Sequence, residues 1–448
     1  MGSLTLARAG GLCRSRSDQI CRPEGSAVFF IALRDKSHSF APMDVVFLEP
    51  CFPQNQREFV RALHAVGARV SGIGERPKES LDPELRHWLA HYEQIRNVTD
   101  VGEVERAVRF IQSKVRVHRL EASVEAHVMC AAKVREQCGI PGTSVKSTWL
   151  CRDKPAMKDA LRAAGVSCAQ SIGSSDAAEI RAFASRVGFP MIIKPRDAAG
   201  ASGTARVDDA AGLERALVEF GVTRGRSVAV EEFIEGHEGF YDTITIGGRV
   251  VADFATHYFP NVLEAMRTRW ISPQFITTNR IDGGSYAEVR AMGQQVVTAL
   301  GLETSATHME WFFGPKGLKF SEIGCRPPGV RTWDLYCAAN EVDIYREWAM
   351  GVVHGKRSKG LSRRFSAGMI ALRPECDGTI TGYDGVEEVH RRFGDWMIDE
   401  FLPPRGSPTQ PVDAGFMANA WMRFKHPDYD TLRGMLDFVG QTVKVHAR

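Results

Sequence analysis

The sequence predicts a mixed α/β (α+β) protein with an N-terminal βαβ domain, a larger central domain and a β-rich C-terminal subdomain. Two apolar runs, at 43–50 and from Ala68, flank an amphipathic stretch at 55–67, and strand, helix, strand within about 30 residues is a βαβ unit. In the central part helical stretches alternate with strands, among them a hairpin with Gly247-Gly248 at its turn. Strand-like runs then dominate the chain after Arg364.

Composition excludes several classes of protein. The chain has 448 residues, enough for two to four packed units, with 44% hydrophobic and 25% charged residues. Its 57 basic and 54 acidic residues give a net charge of +3, which does not favour a nucleic-acid partner. No apolar run reaches the roughly 18 residues that a membrane span needs. The ten cysteines contain no Cys-x-x-Cys pair, so we expect reduced thiols and a cytoplasmic protein.

We expect four segments along the chain. Residues 1–42 carry several arginines and no sustained periodicity, and they lack a small-residue cleavage pattern after the apolar "SAVFFIAL". A disordered extension or an early start codon therefore explains them better than a secretory signal. The remaining boundaries place the N-terminal domain at 43–148, the central domain at 149–355 and the C-terminal subdomain at 356–448.

The N-terminal domain carries no nucleotide-binding fingerprint. Its first strand, "MDVVFLEP", is not followed by G-x-G-x-x-G, so the domain is interpreted as a scaffold or a substrate wall. An amphipathic helix at 123–139 ends at Gly139. The next helix is predicted to begin at Asp153, a typical N-cap residue, with Pro155 in its first turn.

Lys194 ends a predicted buried strand and precedes a loop of small residues, "PRDAAGASG". Glycines in such a loop, here Gly200 and Gly203, let backbone N–H groups approach phosphate oxygens, and the lysine supplies charge. Ser202 lies in the same loop. Alone, the pattern also fits a lysine before an ordinary surface loop, because no Walker A sequence follows.

A strand that ends in two acids follows some 35 residues later, in "VAVEEFIEGHE". Backbone groups of Glu232 and Ile234, next to Glu231, are predicted to face an adenine edge, with Glu238 within reach of a ribose hydroxyl. The alternative is an exposed acidic turn.

The most specific pattern is "THMEWFFGPKGLKFSEIGCRPPG". Gly317 suits the left-handed position of a three-residue hairpin loop that pairs residue 314 with 318. Counting back from that loop places Glu310 opposite Glu322, where two carboxylates about 4 Å apart repel by about 4 kcal/mol at an effective dielectric near 20. A hard divalent cation between them removes this cost, and Mg²⁺ prefers carboxylates together with substrate phosphates.

In this order the motifs resemble the ATP-grasp superfamily over roughly residues 120–355. The resemblance implies an ATP-grasp fold with Lys154 and Lys194 as nucleotide lysines, the glycine loop as a mobile phosphate lid and "VEEFIEGHE" as the adenine hinge with the ribose acid. It further implies Glu310 and Glu322 as ligands of Mg²⁺, with Mn²⁺ as the other ion considered, and Arg326 as the residue at an acyl phosphate.

More narrowly, the chain resembles carboxylate–amine ligases of the L-amino-acid-ligase type. The segments around the lysine helix, "EIGCRPPG" and the C-terminal "SAGMIALRPECDGTITGYDGVEEV" carry this resemblance. Many members have asparagine where this chain has Gly324, which leaves open whether one or two metal ions bind. His308 lies on the same face opposite Gly324, in a hydrogen-bonding, substrate-binding or packing role. Arg331 and His257 are further candidate substrate contacts.

The predicted reaction joins a small carboxylic acid or amino acid to an amine through an acyl phosphate, with ATP converted to ADP and phosphate. The alternatives are a carboxylase-like or kinase-like ATP-grasp enzyme and a non-catalytic nucleotide-binding module. The family resemblance also implies a possible homodimer. Arg267, Arg269 and Arg280 lie in a segment that is able to cover a substrate, although the simpler interpretation makes them surface charges.

Overall fold

A computed structural model describes residues 42–196 and 203–448. The predicted phosphate-loop residues Gly200 and Ser202 lie outside the described residues. Within these residues, no helix is both long and apolar enough to cross a membrane.

The described residues form strands and helices of ordinary length. The strands are β1 Asp44–Leu48, β2 Arg69–Gly74, β3 Leu89–Gln94, β4 Arg119–Glu121, β5 Ser171–Ser174, β6 Met191–Pro195, β7 Ala205–Val207, β8 Val228–Glu232, β9 His237–Ile246, β10 Arg249–Phe259, β11 Gln274–Thr277, β12 Ser305–Gly314, β13 Gly317–Gly324, β14 Ser366–Leu372, β15 Ile380–Asp384, β16 Met397–Phe401, β17 Ala420–His426 and β18 Lys444–Ala447. The helices are α1 Gln56–Ala65, α2 Pro83–Trp88, α3 Val101–Gln112, α4 Glu125–Gln137, α5 Val145–Leu150, α6 Lys154–Ala163, α7 Ala177–Val187, α8 Ala210–Glu219, α9 Val262–Ala265, α10 Ala287–Ala299, α11 Thr332–Asn340, α12 Ile344–His354, α13 Val386–Phe393 and α14 Tyr429–Thr442.

Aspartate begins many of these helices, because its side chain accepts a hydrogen bond from an N–H group of the first turn that has no partner within the helix. The capping residues are Asp82, Asp100, Asp153, Asp176, Asp209, Asp343 and Asp428. The predicted cap at Asp153 is confirmed, since its carboxylate accepts from the amide of Ala156 at 3.0 Å.

The N-terminal sheet is parallel, with strand order β3-β2-β1-β4. The predicted βαβ unit is confirmed as β1, α1 and β2. Every residue of β1 is buried, as expected for a parallel strand covered on both faces. The carboxyl end of β4 leads into α4, which brings the first residue of that helix towards the central domain.

A four-stranded antiparallel sheet, β5-β8-β6-β7, carries the strand that contains Lys194. Helices α7 and α8 supply its core, with Phe183 and Leu217 almost completely buried. Burial of these apolar side chains holds β6 and β8 next to each other, so that Lys194 and Glu231 lie on neighbouring strands.

The largest sheet has eight strands, in the order β13-β12-β9-β10-β11-β14-β17-β16. Strands β14, β17 and β16 come from the predicted C-terminal subdomain, and they continue the central sheet through the pairing of β11 with β14. The subdomain also contains the 14-residue helix α14, which the β-rich sequence interpretation did not anticipate. Leu432 and Leu436 of α14 are fully buried against this part of the sheet.

The hairpin of β12 and β13 places Glu310 opposite Glu322 and His308 opposite Gly324, as predicted. The loop prediction was wrong, because Gly314 pairs with Gly317 rather than with residue 318. An irregularity between Glu310 and Trp311 adds one residue to β13 and restores the expected pairing. A shorter turn and a bulge therefore compensate each other.

Candidate active site

A cavity of about 510 Å³ lies between the four-stranded sheet and the β12–β13 hairpin. This volume is within the usual range for a small-molecule site. The structure brings eight of the predicted site residues into its wall: Lys154, Lys194, Glu231, Glu232, Ile234, Glu238, Glu310 and Glu322. Residues from α6, β6, β8, β9 and the hairpin thus meet although they are far apart in the sequence.

Two lysines share one carboxylate oxygen on the cavity wall. Glu231 Oε2 lies 2.6 Å from Lys158 Nζ and 3.0 Å from Lys194 Nζ, and these three residues are 1–8% exposed. Burial raises the pKa of Glu231, but the two lysines outweigh it and lower that pKa to about 2. Burial lowers the pKa of Lys158 to about 8, and the charge of Lys194 adds to this effect. The group therefore carries one net positive charge when both lysines are protonated.

Glu322 lies between the lysines of α6 and β6. Its Oε2 is 3.4 Å from Lys154 Nζ, and although burial raises the pKa of Glu322, Lys154 and Lys194 lower it below its usual value. Glu238 differs, because burial and the nearby charge of Glu310 both raise its pKa. One wall thus holds an ionised carboxylate beside cations, while another carboxylate in the cavity favours its protonated form.

The acid pair fits a divalent cation that also binds phosphate oxygens. Within residues 42–196 and 203–448, no three His, Cys, Asp or Glu side chains are grouped so that they alone hold a metal ion. Mg²⁺ typically uses one or two carboxylates and takes its other ligands from water and substrate phosphates. Glu310 and Glu322, paired across the hairpin and facing the cavity, meet this requirement.

His308 is held by a buried carboxylate from the neighbouring strand. Its Nδ1 lies 2.7 Å from Asp242 Oδ1, and Tyr336 donates a short hydrogen bond to the other oxygen of Asp242. Burial lowers the pKa of His308, but Asp242 prevails and raises it to about 9. The Nε2 atom is 3.8 Å from Glu310 Oε1. His308 therefore lies behind the acid pair and not in the cavity wall.

The predicted adenine hinge spans the end of β8 and the residues that follow it. The backbone amide of Glu232 donates to the Gln170 carbonyl at 3.0 Å, and its side chain accepts from Lys316 Nζ at 3.1 Å. The Glu232 amide is therefore already hydrogen-bonded within the protein. Of Glu232 and Ile234, the two residues predicted to face an adenine edge, Ile234 is the better candidate for a backbone contact with a base. Glu238 Oε2 accepts from the Val262 amide at 2.6 Å, which fixes its carboxylate at the cavity.

Several predicted residues do not line the cavity. Gly203, at the end of the phosphate loop, has φ +66, a conformation that favours glycine. His257 is hydrogen-bonded to His237 at 2.9 Å and to Tyr286 at 2.8 Å. Arg331 lines a second cavity beside α1 and pairs with Asp334 at 2.7 Å. The structure therefore gives His257 and Arg331 protein partners rather than a place at the candidate site.

Arg326 lies just beyond the end of β13 and also outside the cavity wall. Its Nε donates to Glu125 Oε2 at 3.0 Å, and its Nη1 donates to the Pro327 carbonyl at 2.9 Å. The guanidinium is 18% exposed. The guanidinium is thus held by the carboxylate of Glu125, the first residue of α4 in the N-terminal domain.

Sequence reasoning missed Lys158, and it did not single out the exposed Arg267 as a residue of the cavity wall. Lys158 follows Lys154 by four residues on α6, and this spacing places both on one helix face, a signal that was available. Arg267 lines the cavity and donates to the Thr204 carbonyl at 2.6 Å, whereas Arg269 and Arg280 pair with surface aspartates as expected. Nothing local in the sequence distinguishes Arg267 from its neighbours.

Comparison with known families agrees with this geometry. Residues 159–339 match the ATP-grasp domain, a stretch that contains the hairpin, the predicted adenine hinge and Lys194. Residues 159–339 thus form an ATP-grasp domain, which confirms the resemblance and the fold class predicted from the sequence.

Individual relatives are distant. The chain is 24% identical over 385 residues to an L-arginine-specific L-amino acid ligase of Bacillus subtilis, covering 81% of this chain and 88% of that protein. It is 26% identical over 251 residues to an alanine–anticapsin ligase of the same species, strain 168, and this match spans only about half of each protein, 51% and 51%. A crystal structure of an L-amino acid ligase from Bacillus licheniformis superimposes with a TM-score of 0.71 at 16% identity, covering 91% of this chain and 99% of that chain. This structural likeness concerns the fold.

Proposed function

We propose that this protein is an ATP-dependent carboxylate–amine ligase. A substrate carboxylate oxygen attacks the γ-phosphorus of ATP, the bond from that phosphorus to the β,γ-bridging oxygen breaks, and an acyl phosphate and ADP form. The amine then attacks the acyl carbon, inorganic phosphate leaves and the amine loses a proton. The products are an amide, ADP and phosphate.

The observation that carries this proposal is the cavity in which lysines on α6 and β6 face paired glutamates on the β12–β13 hairpin. Lys154 and Lys194 would bind phosphate oxygens, with Gly200, Ser202 and Gly203 of the predicted lid. Ile234 would bind the base through its backbone, beside Glu231 and Glu232 at the end of β8, and Glu238 would bind the ribose. Such a site acts mainly by positioning its substrates and by neutralising charge.

Glu310 and Glu322 would hold Mg²⁺, or Mn²⁺ in its place. When bound, the ion neutralises charge on the phosphates. The chain's own contribution is to keep both carboxylates on one hairpin face, next to the lysines that bind the same phosphates. Lys154 offsets the charge of Glu322 until the nucleotide arrives.

The two relatives are named for ligation of amino acids, which supports an amino acid as the carboxylate, the amine or both. A homodimer and a cytoplasmic location remain predictions from the sequence.

The test measures ADP release from Mg·ATP with each of the twenty standard amino acids, in the presence of hydroxylamine. Hydroxylamine intercepts an acyl phosphate and forms a hydroxamate without the natural amine. Arg326→Ala should lower this signal by about 10²- to 10³-fold, roughly 3 to 4 kcal/mol, because one preorganised charge is lost. Arg224→Ala, on an exposed turn, is the control and should leave it unchanged.

Two outcomes contradict the proposal. AMP and pyrophosphate as products would indicate adenylation. Transfer of phosphate to a hydroxyl group without hydroxamate formation would favour the kinase-like alternative.

A further inference from the structure

An ion pair links the N-terminal helix α4 to Arg326. Glu125 is the first residue of α4, and its Oε2 accepts from Arg326 Nε at 3.0 Å across 201 positions of sequence. The two side chains are 26% and 18% exposed, so the pair is only partly screened by solvent. A guanidinium held through Nε keeps a fixed direction for its terminal nitrogens.

Arg152 holds the carboxylate of Glu125 from the other side. Its Nη1 donates to the Glu125 backbone carbonyl and to Glu125 Oε1 at 3.1 Å. Each oxygen of Glu125 therefore binds a different arginine. Because Arg152 directly precedes the Asp153 cap of α6, the carboxylate of Glu125 is fixed relative to the helix that carries the nucleotide lysines.

Gly324 leaves the space in which this pair lies. A Cβ atom at position 324 would be 3.3 Å from Glu125 Oε2 and 3.5 Å from Arg326 Nε. The first distance is tighter than an ordinary van der Waals contact, and a larger side chain would extend into the ion pair itself. The backbone of Gly324 is that of a regular strand and does not itself require glycine. The close approach of Glu125 and Arg326 explains the glycine at this position.

We infer that Glu125 is the positioning residue for Arg326, and that Gly324 is the position that admits it. The inference rests on the proposed function and on the role that the family resemblance implies for Arg326, contact with the acyl phosphate. Glu125 fixes the guanidinium through Nε and the Pro327 carbonyl holds Nη1, so that Nη2 is the nitrogen that would contact the reacting group. A carboxylate from the N-terminal domain thus occupies the space that a side chain on β13 would fill.

The test is a kinetic double-mutant cycle of Glu125→Gln and Arg326→Ala, read as ADP release with the most active amino acid and hydroxylamine. Glu125→Gln should lower kcat about tenfold and change the KM for ATP less than twofold. In the Arg326→Ala background the same substitution should have no further effect, because Glu125 acts only through Arg326. Glu125→Asp should recover part of the loss. The control is Glu105→Gln, which removes an arginine partner on the distant helix α3.

Gly324→Ala should lower kcat as well, whereas Gly360→Ala should not, because a Cβ at 360 meets nothing within 4 Å. Additive effects in the cycle, or an effect of Glu125→Gln on the KM for the amino acid alone, would overturn the inference, since Glu125 would then act on the substrate itself.

A urea-unfolding cycle of the same variants supplies a readout without turnover. Non-additive changes in the free energy of unfolding support a direct interaction between Glu125 and Arg326. Additive changes would overturn the inference. If the wild-type protein released no ADP in response to any amino acid, the proposed function would be contradicted instead. Failure of the inference and failure of the proposed function are therefore distinguishable.

Discussion

Glu310 and Glu322 face each other across a hairpin, where like charges cost stability unless another charge offsets them. Lys154 and Lys194 offset the charge of Glu322, which keeps it ionised in a buried site. Holding the two carboxylates opposite each other costs folding stability, and in the proposed function it serves to bind the metal ion. Replacing either glutamate by glutamine therefore distinguishes its effect on folding stability from its effect on turnover.

Glu310→Gln or Glu322→Gln should abolish turnover with little loss of folding stability. The amide has nearly the same shape, and the repulsion between the acids is relieved, although Glu322→Gln also removes the ion pair with Lys154. Turnover is measured as ADP release and stability as the thermal midpoint in EDTA. Glu303→Gln, exposed just before β12, is the control. Strong destabilisation of both acid variants would indicate a structural role instead.

His257 offers a test based on proton linkage. Burial, with the neighbouring His237, lowers its pKa to about 3, whereas the unfolded value is near 6.5. The unfolded state then binds the proton first, so stability is complete above about pH 6.5 and falls as the pH drops towards about 3, by up to about 1.4 kcal/mol per unit.

His257→Gln should flatten this acid dependence in urea unfolding between pH 7 and pH 5. The matched variant His390→Gln removes an exposed histidine that pairs with Glu400 and should retain the wild-type slope. An unchanged slope in His257→Gln would show that His257 is not the group responsible.

At the scale of elements, helix α6 carries both Lys154 and Lys158 on one face, and its start is fixed by Asp153. The Asp153 carboxylate caps the helix and also accepts two hydrogen bonds from Arg196, at 2.9 and 3.1 Å. This carboxylate therefore joins α6 to the end of β6, two residues after Lys194. The cap therefore fixes Lys154 of α6 relative to Lys194 of β6.

Asp153→Ala should destabilise the protein by about 1 kcal/mol and also weaken ATP binding, because α6 loses its anchor to β6. Asp176→Ala removes the equivalent cap of α7, away from the cavity, and should cost similar stability without changing ATP affinity. Urea unfolding and calorimetric titration measure the two effects. Equal ATP affinity in both variants would contradict the proposed alignment.

In the β12–β13 hairpin, the nearby residues predict the pairing of the two glutamates but not the geometry of the loop. The like-charged pair was predicted correctly, yet through a loop that the structure does not have. Turn residues restrict the hairpin to a few geometries, but the choice between a longer loop and a bulge depends on packing around β12, which pairs with β9 on its other edge.

At the scale of the whole molecule, the cavity lies between two sheets, so a nucleotide in it would contact both. Binding to the native state alone stabilises a protein by RT ln(1 + [L]/Kd), about 2.7 kcal/mol at a ligand concentration of 100 Kd. The size of this effect reports the affinity of the assembled site.

Mg·ATP at such a concentration should raise the thermal midpoint measurably. Lys194→Met should lose most of the shift at the same concentration, because a charged phosphate contact is worth about 1.5 to 3 kcal/mol. Lys319→Met, on β13 with an exposed amine bonded to Ser167, should keep it. A full shift in Lys194→Met would mean that Lys194 does not contact the phosphates.

The sequence by itself determined the βαβ unit, the ATP-grasp fold class and the identity of eight residues that line the cavity, because strand and helix periodicity, caps and turn residues act between near neighbours. Only the tertiary structure decided which distant side chains meet. Lys158 and Lys194 share Glu231, Asp242 holds His308, Glu125 reaches Arg326, and the C-terminal strands continue the central sheet. These contacts join segments up to 201 residues apart. They depend on how buried faces pack, and no local pattern records that.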